Sequence, residues 1–159
     1  MRIRLPDLLV ALAVIALVAV AVLHIGGRKA SGRAVLASAT LTPGSLNPAV
    51  TQATIHSTIC VRGWTATVRP PSSYTSALKA RQMPTYGEAG PSSAYQEDHL
   101  ISLELGGNPT DPRNLWPEPY PRASDVDKIE NALNAKVCSG ELTLTQAQHD
   151  ESALKHERG

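Results

Sequence analysis

Phenylalanine is absent from this 159-residue chain, and aromatic residues of any kind make up only 4% of it. A folded core must therefore rest on Val, Leu, Ile and Ala, helped by two Trp and four Tyr. Such a core is thin for a domain of this size and would gain from a covalent staple. Cysteine is scarce too. Cys60 and Cys138 are the two present, and no CxxC pair exists, which argues against a cysteine-based structural zinc site. No internal repeat is visible, so a solenoid is excluded. Basic charge is missing where a nucleic-acid binder would normally carry it. Arg2, Arg4, Arg28, Lys29 and Arg33 leave ten basic residues for positions 34–159, against thirteen acids, a net charge of about −3. Phosphate contacts usually supply much of the affinity for nucleic acid, so this balance counts against such a partner.

The hydrophobic fraction of 42% is unevenly spread. Leu8 through Leu23 is an unbroken apolar run, and with His24 and Ile25 it approaches the ~20 residues that span a bilayer as a helix. Arg2 and Arg4 precede it and Arg28, Lys29 and Arg33 follow it, so flanking charge decides orientation only weakly. The best small-x-small cleavage site, Ala37-Ser38-Ala39, lies far downstream. The expectation is a signal anchor over residues 1–27 with the C-terminal domain outside the cytoplasm; secretion after cleavage is the alternative. In that compartment disulfides persist. A Cys60–Cys138 bridge would close a loop of ~80 residues, worth ~4 kcal/mol in the chain-entropy model. The other reading is two unrelated buried thiols.

Residues 28–50 are rich in Gly, Ser, Ala, Thr and Pro and read as a flexible stalk, which leaves residues 51–159 as one domain. Trp64 to Val68 fits a short strand, stopped by Pro70-Pro71, and Ser72 or Ser73 can cap a helix reaching Gln82. Leu100, Ile101 and Leu103 suggest a strand around Asp98-His99. Gly106-Gly107-Asn108-Pro109 is a turn, and Asn114-Leu115-Trp116 a second extended piece closed by Pro117 and Pro119. Val126, Ile129, Leu133 and Val137 recur at helical spacing from a start at Ser124, and Ser139-Gly140 ends that helix. Thr143 with Gln146 matches a capping box for a last, polar helix whose end should fray.

Strand, glycine turn, strand and helix in that order, carrying Asp98-His99-Leu100-Ile101, Leu103, Gly106-Gly107 and Asn114-Leu115, resemble the HNH or ββα-metal endonuclease motif. The match covers about forty residues. Thr58 to Cys60, Gly63 to Thr65, Val68 to Pro71 and Asn114 to Pro117 resemble small exported bacterial proteins described as HNH-endonuclease-like. The resemblance implies a small α+β fold, a ββα-metal core with extra helices, and hydrolysis of phosphodiester bonds in nucleic acid, DNA before RNA. It implies one divalent ion, Mg, Mn or Zn, with Asp98 as a hard oxygen ligand. His99 would accept a proton from water, and Asn114 would hold the inter-strand loop and orient His99. A second ligand should come from the helix, where Asn131 or Asp127 would fill the place; Glu130 stands one residue off their shared face. Two features depart from the pattern. Ser102 stands where the family usually has Pro, and the path from Asn114 to the helix is lengthened by Pro117, Pro119 and Pro121.

Other readings of the same residues are plainer. Asp98-His99 could be a structural pair. Glu97 and Glu104 read as solvated rim, Trp116 as core, and His149 and His156 as solvated. Arg62, Arg69 and Arg113 could touch phosphates or only water. The competing function is an inactive HNH-fold binding or envelope protein. Beyond nucleic acid and the membrane, no protein partner is inferable.

Overall fold

A computed structural model of the chain describes residues 36–157. The expected anchor over residues 1–27, and the start of the stalk, lie outside the described residues. Among the described residues no helix is long and apolar enough to cross a membrane.

The described chain is a small α+β unit with four helices and a two-stranded sheet: α1 (Trp64–Val68), α2 (Ser72–Tyr86), β1 (Tyr95–His99), β2 (Leu115–Pro119), α3 (Arg122–Ser139) and α4 (Leu144–Glu157), joined by short 3₁₀ turns. The strands are antiparallel, with Asp98 opposite Trp116 and His99 opposite Leu115. Helix α3 packs against both strands, against the Leu103–Leu105 turn and against α4, while α2 packs against β1 and β2.

The core has two parts because Leu100 and Ile101, successive residues, face opposite ways. Ile101 joins Val50, Ile55, Ile59, Leu105, Val137, Leu144 and Ala147, whereas Leu100 joins Ala37 and Trp116, with Tyr86 packed alongside. Cys60 and Cys138 pair beside the first cluster with their Cα atoms 5.6 Å apart, which ties the Ile55–Cys60 segment to the end of α3.

Local chemistry sets the helix ends. Gly140, at φ +81°, closes α3 by donating to Lys136 and Val137 carbonyls. The expected capping box is present on α4: Thr143 N–H donates to Gln146 Oε1 at 3.0 Å and Gln146 N–H to Thr143 Oγ1 at 3.2 Å.

Several expectations need correction. Trp64 to Val68 is a helical turn and not a strand; Gly63, at φ +83°, starts it, and the described residues offer no strand for it to pair with. Pro117 and Pro119 lie within β2 and do not close it. They sit opposite Glu97 and Tyr95, two apart, so both missing N–H groups fall on the edge away from β1. Helix α3 begins at Arg122, so Ser124 is inside it and not its cap.

The stalk is also corrected for residues 36–50, which are docked on the domain. Ala37 N–H donates to Lys155 O at 3.0 Å, Gly44 N–H to Arg113 O at 2.9 Å and Asn47 N–H to Gly106 O at 2.8 Å. Val50 is core, and Thr42 is fully buried.

Candidate functional site

The loop between β1 and β2 is held from inside by one amide. Asn114, fully buried, accepts from Ile101 N–H at 3.0 Å through Oδ1 and donates through Nδ2 to Ile101 O and Asn108 O, both at 3.0 Å. The two glycines make that closeness possible. Gly106 adopts φ +77°, and a Cβ on Gly107 would lie 1.7 Å from Ile101 O and 2.7 Å from Asn114 Nδ2.

The pinned loop presents the Pro109 carbonyl to His99, whose Nε2 lies 3.1 Å from it. A carbonyl only accepts, so Nε2 carries the proton of the neutral ring and Nδ1 keeps its lone pair. Burial lowers the imidazole pKa below its ordinary value, with Asp98 and the Pro109 bond opposing and the Lys155 and Arg69 charges adding to the fall. His99 lines a cleft of about 380 Å³ together with Arg69, Ser72, Thr75, Gln96 and Glu97.

Asp98 points to the other side of β1, into a buried cluster of charges. Lys155, reaching in from α4 and fully buried, donates to Asp98 Oδ2 at 2.8 Å, to Glu130 Oε1 at 2.6 Å and to the His99 carbonyl. Glu151 Oε1 lies 3.4 Å from the same ammonium, and both Glu151 oxygens accept from Ser102 N–H at 3.0 Å. Glu118, also fully buried, pairs with Arg122. Burial alone would raise the Asp98 pKa, but Lys155 and a hydrogen bond with Glu118 bring it below the ordinary carboxylate value. Burial pushes Glu130 up to about 9 against the pull of Lys155, and Glu118 up to about 8, with the Asp98 charge adding to the rise.

Of the helical candidates, Asp127 and Glu130 come to this cluster. Asp98, Asp127 and Glu130 each offer a carboxylate oxygen within 4.8 Å of the others. Their hard oxygens fit a hard divalent cation such as Mg²⁺ or Mn²⁺. Asn131 is a correction. It is exposed, and its Nδ2 donates to the Asp127 carbonyl at 2.6 Å, folded back on its own helix. Glu130, one residue off the face that Asp127 and Asn131 share, is the third carboxylate of the group.

Other residues also sit differently from expectation. Glu97, read as solvated rim, lines the cleft with both carboxylate oxygens buried and without a hydrogen-bond partner among the described residues; burial raises its pKa to about 8. Glu104 is half-buried near Arg69 and Asp127. Arg69 borders the cleft, whereas Arg113 is occupied by Asp111 at 2.6 Å. Lys155 and Glu151 were missed outright. A signal existed: Leu144, Ala147, Glu151 and Lys155 follow helical spacing, so the charged pair continues the buried face of α4.

No family model matches the chain, and neither a curated protein nor a solved structure with significant similarity to it was found.

Proposed function

We propose that the protein is a metal-dependent endonuclease of the HNH type, hydrolysing phosphodiester bonds of nucleic acid, with DNA as the expected substrate. The observation that carries this reading is His99: buried, fixed by the Pro109 carbonyl on a loop that Asn114 staples, and lining an open cleft, with a carboxylate group gathered on the other side of the same strand. The neutral ring offers Nδ1 to a water molecule in the cleft. The water proton passes to Nδ1, the oxygen attacks phosphorus, and the bond to the leaving 3′ oxygen breaks as that oxygen takes a proton from solvent. Arg69 at the cleft wall can pair with a phosphate oxygen. Asp98, Asp127 and Glu130 would hold the divalent ion, which when bound neutralises charge on the phosphate and the leaving oxygen. Asn114 acts through the loop, as a positioning residue.

In the same reading the N-terminal apolar run anchors the chain in a membrane with this domain outside the cytoplasm, where a Cys60–Cys138 bridge would persist. One observation favours a second reading, an inactive scaffold that binds without cutting: Lys155 already bonds two of the three carboxylates. Plasmid nicking separates the two. Purified full-length chain is incubated with supercoiled DNA and Mg²⁺, Mn²⁺, Zn²⁺ or EDTA, beside His99→Ala. Cleavage that EDTA abolishes and His99→Ala slows at least 100-fold is expected. A folded protein that cuts under no metal would sink the nuclease reading and leave the scaffold.

A further inference from the structure

We propose that the Lys155 ammonium is a built-in competitor of the divalent ion: it holds the Asp98–Glu130 pair in the resting protein, keeps the domain folded without metal, and weakens metal binding there. This rests on the metal site assigned above to Asp98, Asp127 and Glu130.

The geometry points to a resident cation. An ammonium has three N–H donors, and Lys155 has three close acceptors: Asp98 Oδ2, Glu130 Oε1 and the His99 carbonyl. It is fully buried, so it does not exchange these partners for water. Nor does it ride on a loose tail. Leu144 and Ala147 of the same helix are core, Gln148 Nε2 donates to Leu105 O at 2.9 Å, Ser102 N–H donates to Glu151, and Lys155 O accepts from Ala37 N–H. The lysine is thus held where two of the three carboxylates meet, and Asp127 alone of the three has no bond to it among the contacts Lys155 makes.

A divalent ion on the same carboxylates would lie within a few ångströms of this ammonium. At a separation of about 4 Å and an effective dielectric of ~20, repulsion between a single and a double positive charge is worth far more than a factor of ten in affinity. Either the ion binds weakly beside Lys155, or it binds as Lys155 gives up its bonds to Asp98 and Glu130. Both routes make the site responsive only to abundant divalent ion, and both predict tighter binding once the charge is removed. Lys155→Met keeps the unbranched stem, one atom shorter, and removes the charge.

The test is a Mn²⁺ titration of the full-length chain, wild type against Lys155→Met, read by calorimetry and by the Tm with and without Mn²⁺. At least tenfold tighter binding in the variant, and a larger Mn²⁺-induced rise in its Tm, are expected. Folding of the variant only when Mn²⁺ is present would support the same conclusion. Equal or weaker Mn²⁺ affinity in a folded variant would overturn it. Should Lys155→Met fold under neither condition, the wild type decides: the ¹⁵N resonance of the Lys155 ammonium must shift as Mg²⁺ saturates the protein, and an unmoved resonance at saturation refutes the competition. These readouts do not depend on cleavage. Tighter binding with no nicking by either protein would leave this inference standing and the nuclease reading fallen; nicking with unchanged affinity would do the reverse.

Discussion

The two sides of β1 handle buried acid in opposite ways. Asp98 points into a cluster where Lys155 bonds it directly and Arg122 pairs with the neighbouring Glu118. One residue earlier, Glu97 lines the cleft, and neither of its oxygens has a hydrogen-bond partner among the described residues. The Asp98 pKa is accordingly held down and the Glu97 pKa is pushed up to about 8. Taking a carboxylate out of water is costly, and the strand answers the cost twice: with an ion pair on one face, and with a retained proton on the other. The closed face balances its acids with a resident cation. The open face also carries His99, which lines the cleft with Glu97.

The largest test of this contrast is the same kind of substitution on each side. Asp98→Asn leaves Lys155 with a neutral amide where it had a charge, and breaking a buried pair costs about 3–5 kcal/mol. Urea unfolding should show a loss of that size; a loss below ~1 kcal/mol would mean that the Lys155–Asp98 pair contributes little.

Ser102→Pro comes next. Proline is what the HNH pattern would place there, but here the Ser102 N–H holds both oxygens of Glu151. Proline has no N–H, so about 1.5–3 kcal/mol should be lost from a hydrogen bond to a charged acceptor, again read by urea unfolding. Unchanged stability would mean that Glu151 finds another donor.

Glu97→Gln should have the opposite sign. The folded protein holds a Glu97 proton up to about pH 8, whereas the unfolded chain releases it near the ordinary value of 4.5. The folded state therefore binds more protons between those values, and stability falls as pH rises through that window and levels above it. Glu118 and Glu130 add to the same trend. Glu97→Gln should flatten the decline of Tm between pH 5 and 8 and leave the protein slightly more stable at pH 8. An unaltered slope would show that Glu97 ionises freely.

Much of the loop was legible in the sequence because its chemistry is local. Gly106-Gly107, Asn114 and the Thr143–Gln146 box are short-range patterns, and each has the backbone geometry that its residue types suggest. The Cys60–Cys138 pairing followed from a thin core and two cysteines, and those are the residues that meet. What could not be read depends on contacts between distant segments. Asp127 and Asn131 share a helical face by spacing, yet Asn131 turns back on its own helix while Glu130 reaches Lys155. Glu151 and Lys155 continue the apolar face of Leu144 and Ala147, but a pair four apart is also the ordinary spacing of a solvated surface pair, and the approach of β1 and α3 is what buries it. Residues 36–50 have the composition of a linker, and their place follows from backbone bonds to Arg113, Gly106 and Lys155 that composition does not encode.

The most direct test of the open face is chemical rescue of His99→Ala. The variant is assayed for plasmid nicking with Mg²⁺ or Mn²⁺, with and without imidazole in the buffer. If His99 Nδ1 accepts the proton from water, the variant should cut at a small fraction of the wild-type rate, at least 100-fold down. Added imidazole, entering the space left by the ring, should restore part of the loss. Cleavage by His99→Ala at the wild-type rate without imidazole would contradict the assignment of His99 as the base.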